Sequence, residues 1–383
     1  MTLAEILLNE ELRRHEFPVV QHKNFLAHAG VCPLPQRVIE AIQKYAAYAG
    51  TGDQESGVLE NLLTDGRKLA AELICAKPEE IAFVGPTSLA LSFVASGLSF
   101  RRGDNILIYH DDYPSNVYPW LALAAKGVEV RLMNIRHLGV IRPRDVVGQV
   151  DENTRLVALA SCHFVSGWRI DHATIGAELR KRRILFCLDA IQTLGAFPTT
   201  VENVDMLAAD SHKWLLGPCG AGILYVRKEV QEYLKPPIYG SNNVRSPNYI
   251  AQDEIVFRSG AKRYEPGSYN LLSVVGLNAC LGLALEIGVE NIGRELIRKR
   301  AKLVPVLQAK GYTVLNAEAT MENCGGMTTC FKPDTDLPTL HQKLTAANII
   351  TSLRADRKGQ QYLRLSPHWY NTDAELDRAL ELL

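Results

Sequence analysis

The chain of 383 residues carries no excess of either charge: 42 Lys and Arg balance 42 Asp and Glu. No net field therefore draws it to nucleic acid or to an anionic membrane surface. Long apolar runs are missing as well. Apolar runs such as 106–109 and 156–160 are broken by charges well before they could span a bilayer. The first fifteen residues alternate Leu and Ile with Glu, Asn and Arg, without the basic start and apolar stretch of a signal peptide, and predict an amphipathic helical arm. Paired cysteines are absent too. Cys32, Cys75, Cys162, Cys187, Cys219, Cys280, Cys324 and Cys330 are scattered, with no C-x-x-C among them. They read as reduced, mostly buried thiols of a cytoplasmic protein. With no H-E-x-x-H and no P-loop either, neither a metal site nor a nucleoside triphosphate site is expected.

What the chain has is a 47% hydrophobic composition, enough for a large core and two or three domains. Short β-rich runs at 80–84, 105–109, 129–133, 155–160, 184–188, 205–208 and 220–226 alternate with helical runs such as 88–98, 120–126 and 173–181. Several of the β runs are continuously apolar, as in strands buried on both faces of a parallel sheet. The pattern predicts a doubly wound α/β domain of about seven strands, with the direction of the last left open. After an irregular Pro- and Gly-rich segment at 236–266, a long amphipathic helix at 272–288 and another at 293–310 are expected. Strands at 313–315, 327–331 and 362–366 and helices at 337–347 and 373–382 complete an α+β tail. The expected division is an arm (1–20), a large α/β domain (21–262) and a smaller C-terminal domain (263–383).

In an open α/β sheet, ligands bind beyond the carboxyl ends of the strands, and the informative polar residues stand there. The run 80–84 leads to Gly85-Pro86-Thr87-Ser88 and a helix. A helix start with two hydroxyls suits a phosphate, although an ordinary N-cap would use Thr or Ser equally well. The run 184–188 ends at Asp189, with Gln192 three residues on. An acid there can pair with a protonated ring nitrogen of a cofactor, or simply cap a helix. The run 205–208 leads to Asp210-Ser211-His212-Lys213-Trp214. A lysine between His and Trp just past an apolar strand is poorly explained as a solvated charge. A desolvated amine has a lowered pKa, which favours Schiff-base chemistry. The glycines of 217–222 precede a strand rather than link a strand to a helix, so they are no dinucleotide fingerprint.

Taken together, the chain resembles the class V aminotransferase family, the cysteine-desulfurase-like branch of fold-type-I pyridoxal-phosphate (PLP) enzymes. Asp189-Ala190-Ile191-Gln192 matches its D-x-x-Q element, His212-Lys213-Trp214-Leu215-Leu216-Gly217-Pro218 its H-K-W-x-x-G-P element, and Tyr264-Glu265-Pro266-Gly267-Ser268 looks like its F-E-x-G-T element. The resemblance implies a homodimer with shared active sites and PLP as a Schiff base on Lys213, which then takes the Cα proton. It implies Asp189 on the ring nitrogen and Gln192 on the ring oxygen. Thr87, Ser88 and His212 would hold the phosphate, with Ser268 supplied by the partner subunit, and Asp210 would count among the cofactor-binding residues. Tyr113 would stack on the ring, Arg364 would bind the substrate carboxylate, and His28 would line the substrate side. Arg354 is a weaker candidate that a surface role would also explain.

Two departures bear on the reaction. Phe164 stands where desulfurases have Asn, and 350–363 contains no Cys to act as the desulfurase nucleophile. Cys324 and Cys330 lie too far upstream and look like strand or turn residues. Transamination is the first expectation, Cβ–S cleavage by β-elimination the second and epimerisation the third. A non-catalytic dimeric scaffold is the alternative of another class, and the presence of Lys213, Asp189 and Arg364 speaks against it.

Overall fold

The apolar runs become strands because alternate residues of each find a separate hydrophobic layer. A computed structural model describes residues 1–383. After a two-residue strand, β1 (Asn24–Phe25), come β2 (Ile81–Phe83), β3 (Asn105–Ile108), β4 (Glu129–Leu132) and β5 (Thr154–Ala160). β6 (Leu185–Asp189), β7 (Met206–Asp210) and β8 (Gly222–Val226) follow. Strands β2 to β8 form one sheet in the order β2-β8-β7-β6-β5-β3-β4. Leu107, Val157, Leu159, Phe186 and Leu188 enter one apolar layer. Their neighbours Ile106, Ile108, Leu156, Ala158 and Cys187 enter the layer on the opposite face. Burial on both faces is what makes these runs continuously apolar. Only the edge strand β4 is largely uncovered, and its Glu129 and Arg131 guard the open edge.

All pairings in this sheet are parallel except those of β8, which runs antiparallel to β7 and β2. The direction left open by sequence follows from the connection. Residues 211–221 form a tight turn held by Asp210, with no crossover helix to return the chain in parallel.

Two helical expectations change. The run 120–126 splits into an α-helical turn, Tyr118–Leu121, and a 3-10 turn, Ala122–Lys126. The helix expected to be amphipathic, observed at Leu271–Ile287, is instead apolar nearly all round. Leu277 and Leu281 join the main core, Leu283 and Ile287 a second cluster, and Leu271 and Val275 a third. A helix hydrophobic on every side is a buried one, and this one packs against Gln36–Ala49 and Leu59–Ile74. The next helix is Val289–Ala309, whose Leu303 and Leu307 enter the C-terminal cluster.

Beyond that helix come β9 (Thr313–Val314), β10 (Thr328–Phe331), β11 (Ile349–Ile350), β12 (Ser352–Ala355) and β13 (Gln361–Leu365). β12-β13-β10-β9 form an antiparallel sheet, while β11 pairs in parallel with β1. The N-terminal arm forms two helices, Leu3–Leu8 and Glu10–Glu16, the first closed by a capping box on Thr2. Its Ile6 is buried, and Phe17 just beyond it stacks on Tyr370 with ring centroids 3.9 Å apart. No single helix is long and apolar enough to cross a membrane.

Candidate active site

The carboxyl ends of the strands bring the motif residues to one cavity of about 230 Å³, lined by Thr87, Ser88, Tyr113, Gln192, His212 and, deeper, Asp189, Lys213, Arg354 and Arg364. Asp189 is the last residue of β6, and Lys213 follows β7 by three residues. Both are buried, at 2% and 8% exposure. Burial lowers the pKa of the Lys213 ammonium; Asp189 opposes that, while the charges of Arg364 and Arg354 add to it. Burial, followed by the nearby charge of Asp112, raises the Asp189 carboxyl, against the 3.1 Å hydrogen bond from the Ile191 N–H and the attraction of Lys213. The Lys213 ammonium lies 5.3 Å from the centre of the Tyr113 ring, whose edge meets Phe164 at 5.4 Å.

At the opposite end of the motif set stands the helix Thr87–Gly97. No side chain caps its start, so its free N–H groups are left to a ligand. Thr87 does not serve as an N-cap; its hydroxyl accepts the Asp210 N–H at 2.9 Å, and Ser88 pairs with Ser115 at 2.7 Å. The Asp210 carboxylate accepts from the Ser211 and Gly220 N–H groups at 2.7 and 3.0 Å. His212 Nδ1 lies 3.0 Å from the same carboxylate, without hydrogen-bond alignment. Asp210 does not line the cavity; it braces the turn that presents His212.

The substrate end is built around Arg364. Its side chain is fully buried and Nη1 donates to the Phe164 carbonyl, while Nε and Nη2 have no partner. Two unpaired N–H groups inside a cavity are costly unless an acceptor arrives. They form one edge of the guanidinium, the fork that fits a carboxylate. Burial and the charge of Arg354 bring the Arg364 pKa down to about 9.

Besides Asp210, two expected site residues stand outside this cavity. His28 is wholly buried, with Nδ1 3.0 Å from the Ser366 carbonyl oxygen and Nε2 2.7 Å from the Tyr370 hydroxyl. Burial takes its pKa down to about 3. It is a core histidine behind the loop of Ala29 and Gly30, which do line the cavity. Ser268 is exposed and borders a separate cavity of about 320 Å³. The buried Arg67–Glu265 pair, 2.5 Å apart, holds its loop.

Two features were not expected from the sequence. Asp112 is buried beneath Tyr113, accepts from the N–H groups of Tyr113 and Ala160 and from the Asn116 side chain, and burial raises it to about 6. It stands just past an apolar strand, the same signal that marked Asp189. The Trp214 indole donates to Gln192 Oε1 at 2.9 Å, and Gln192 Nε2 donates to the Ala29 carbonyl at 3.1 Å. That fixes the amide orientation and leaves one Nε2 proton for a ligand. Arg354, held loosely from sequence, shares the cavity with Arg364.

The donor set fits PLP. An uncapped helix start with hydroxyls suits a phosphate, a buried acid suits the ring nitrogen, and a desolvated amine suits the aldehyde.

The Aminotransferase class-V family model matches residues 24–379. A probable cysteine desulfurase of Methanothermobacter thermautotrophicus is 31% identical over 306 residues, covering 78% of this chain and 76% of that protein. The uncharacterized aminotransferase YcbU of Bacillus subtilis is 29% identical over 380 residues, covering 97% and 96%. Among solved structures, the apo cysteine desulfurase of Thermococcus onnurineus superposes with a TM-score of 0.88 at 23% identity, covering 97% of this chain and 96% of that one. That likeness establishes the fold.

Proposed function

This chain belongs to the class V aminotransferase family of PLP-dependent enzymes, and on that premise we propose that it transforms an amino acid with the cofactor anchored on Lys213. The observation that carries the reading is the convergence of Lys213, Asp189 and the half-unpaired Arg364 on one buried cavity.

Bound there, PLP supplies an aldehyde for amines and a ring that draws electrons away from Cα. The rest is work for this chain's side chains. Lys213 would hold the cofactor through Nζ and would carry the substrate's Cα proton on that atom. Asp189 keeps a proton on the ring nitrogen by presenting a buried negative charge to it. Gln192, its amide fixed by Trp214 and Ala29, donates towards the ring oxygen. Thr87, Ser88, His212 and the helix start hold the phosphate, and Tyr113 covers the ring face. Arg364 seats the substrate carboxylate, which orients the Cα–H bond.

Transamination is the reaction proposed. β-Elimination at a Cβ–S bond is the second reading, favoured by one observation: the turn between β12 and β13 reads Asp356-Arg357-Lys358-Gly359-Gln360 and carries no thiol for a persulfide relay. Epimerisation ranks third. A homodimer with shared sites suits the exposed position of Ser268 outside its own chain's cavity, and the exposed Tyr249, Ile250 and Ile255. Eight free thiols suit the cytoplasm.

The test is a panel of amino acids and 2-keto acids given to the purified protein. Transamination yields a keto acid with the aminated cofactor, elimination yields pyruvate and ammonia, and a protein that turns over none of the panel would contradict the reading.

A further inference from the structure

Strands β12 and β13 pair with Ser352 opposite Arg364 and Arg354 opposite Tyr362. Side chains alternate with period two, so all four lie on one face of this sheet, and the two arginines are diagonal neighbours. The register with β10 identifies that face. Thr329, opposite Arg364, donates its hydroxyl to the Val165 carbonyl of the large domain. Leu363, Leu365 and Cys330 on the other face enter the C-terminal core.

Like charges at neighbouring cross-strand positions destabilise a sheet, and here no acid offsets them. Arg354 Nη1 donates only to the carbonyl of adjacent Leu353, at 2.9 Å, and Arg364 only to that of Phe164. The one carboxylate lining the cavity, Asp189, is needed by the cofactor ring. The phosphate has its own receptors at the helix start. Arg354 stands beside Gly30 and Ser352: a Cβ at Gly30 would lie 3.7 Å from Arg354 Nη2 and 3.9 Å from Ser352 Oγ. Any side chain at Gly30 would begin to cover the guanidinium, and glycine leaves it open to the cavity.

We propose that the substrate carries two anionic groups, with Arg364 taking the α-carboxylate and Arg354 an acidic group on the side chain, as in a dicarboxylic amino acid. The proposal rests on reading the cavity as an amino-acid site. Burial lowers both guanidinium pKa values, and the charge of Arg354 lowers Arg364 further. A second anion reverses that mutual destabilisation, which one carboxylate on Arg364 does only in part. The class excludes substrates whose side chain ends in a cation.

The experiment titrates the holoenzyme with L-aspartate, L-glutamate and their uncharged counterparts L-asparagine, L-glutamine and L-alanine, following the absorbance of bound cofactor. Succinate and butyrate serve as unreactive probes of thermal stabilisation. The acidic ligands are expected to bind about tenfold or more tightly than their amide counterparts, as a charge-assisted fork warrants. In Arg354→Gln this ratio falls to near one, and Arg354→Lys keeps part of it. Succinate raises the wild-type melting temperature more than butyrate, and the difference disappears in Arg354→Gln. Equal binding of acids and amides by the wild type would overturn the inference while leaving the amino-acid reading intact. So would an unchanged acid-to-alanine ratio in Arg354→Gln, which would make Arg354 a second hand on the α-carboxylate. A protein with no cofactor band and no response to any amino acid would refute the reading itself.

Discussion

Asp189 and Lys213 are held in a cavity that solvates neither charge, and their chemistry follows from that. Asp189→Asn removes a charge where charge develops and is expected to lower kcat by about 10²–10³ while PLP still binds. Steady-state kinetics check this, and a variant within a few-fold of wild type would contradict the role. Burial holds the folded pKa of Lys213 below its ordinary 10.5. The reactive free amine is therefore present at lower pH than for a surface lysine. Uptake of PLP by the apoenzyme should speed up as pH rises and level off well below 10.5, which stopped-flow absorbance can follow. A rate still climbing through that range would mean the amine is solvated. Asp189 and Lys213 were legible because a charged residue directly after a buried strand has few other uses. Asp210 and His28 look alike in sequence but turn their side chains into a loop and a core. Sequence reports the position along the backbone, whereas the rotamer depends on partners such as Gly220 and Tyr370 that lie far along the chain.

Elements were legible where burial imposed a pattern. All seven strands of the main sheet were visible, six of them because burial demands apolar runs, and the uncovered edge strand β4 by its place in the alternation. β1 and β11, of two residues each, have no period to read. β12 carries arginine in place of an apolar residue because its face serves the cavity. The junction of β2 with the helix Thr87–Gly97 depends on close backbone approach. A Cβ at Gly85 would fall 2.4 Å from the Gly220 carbonyl oxygen and 2.6 Å from the Gly222 nitrogen. Gly85→Ala must push β2 away from β8 and is expected to cost about 1–3 kcal/mol, as overpacking does, with weaker PLP retention. Thermal melts of the apo and holo forms measure both, and a variant as stable as wild type would show that the junction gives way. The β12–β13 hairpin carries no thiol. Cys330 is buried on the opposite face of its sheet, and Cys324 is buried outside the cavity. L-Cysteine should therefore give pyruvate with sulfide, a keto acid or nothing, but not alanine. Alanine together with a persulfide on Cys324 or Cys330, found by mass spectrometry, would contradict this.

At the scale of the whole molecule, the proposed site would take Ser268 from a second copy. Hybrid dimers of Lys213→Ala and Ser268→Glu test that arrangement. If Ser268 serves the partner's phosphate, one site of each hybrid is intact, and random mixing should restore about a quarter of wild-type activity. If Ser268 acts within its own chain, mixing restores nothing. Only the resemblance suggested such sharing; in the single chain the cavity beside Ser268 and the cavity around Lys213 are separate. The central claim is the anchoring of the cofactor, and reduction with borohydride followed by peptide mapping tests it most directly. Reduction should fix a pyridoxyl group on the peptide containing Lys213, and Lys213→Ala should lose both this label and the visible absorbance of bound cofactor. A label on any other lysine, or a label that persists in Lys213→Ala, would contradict the account.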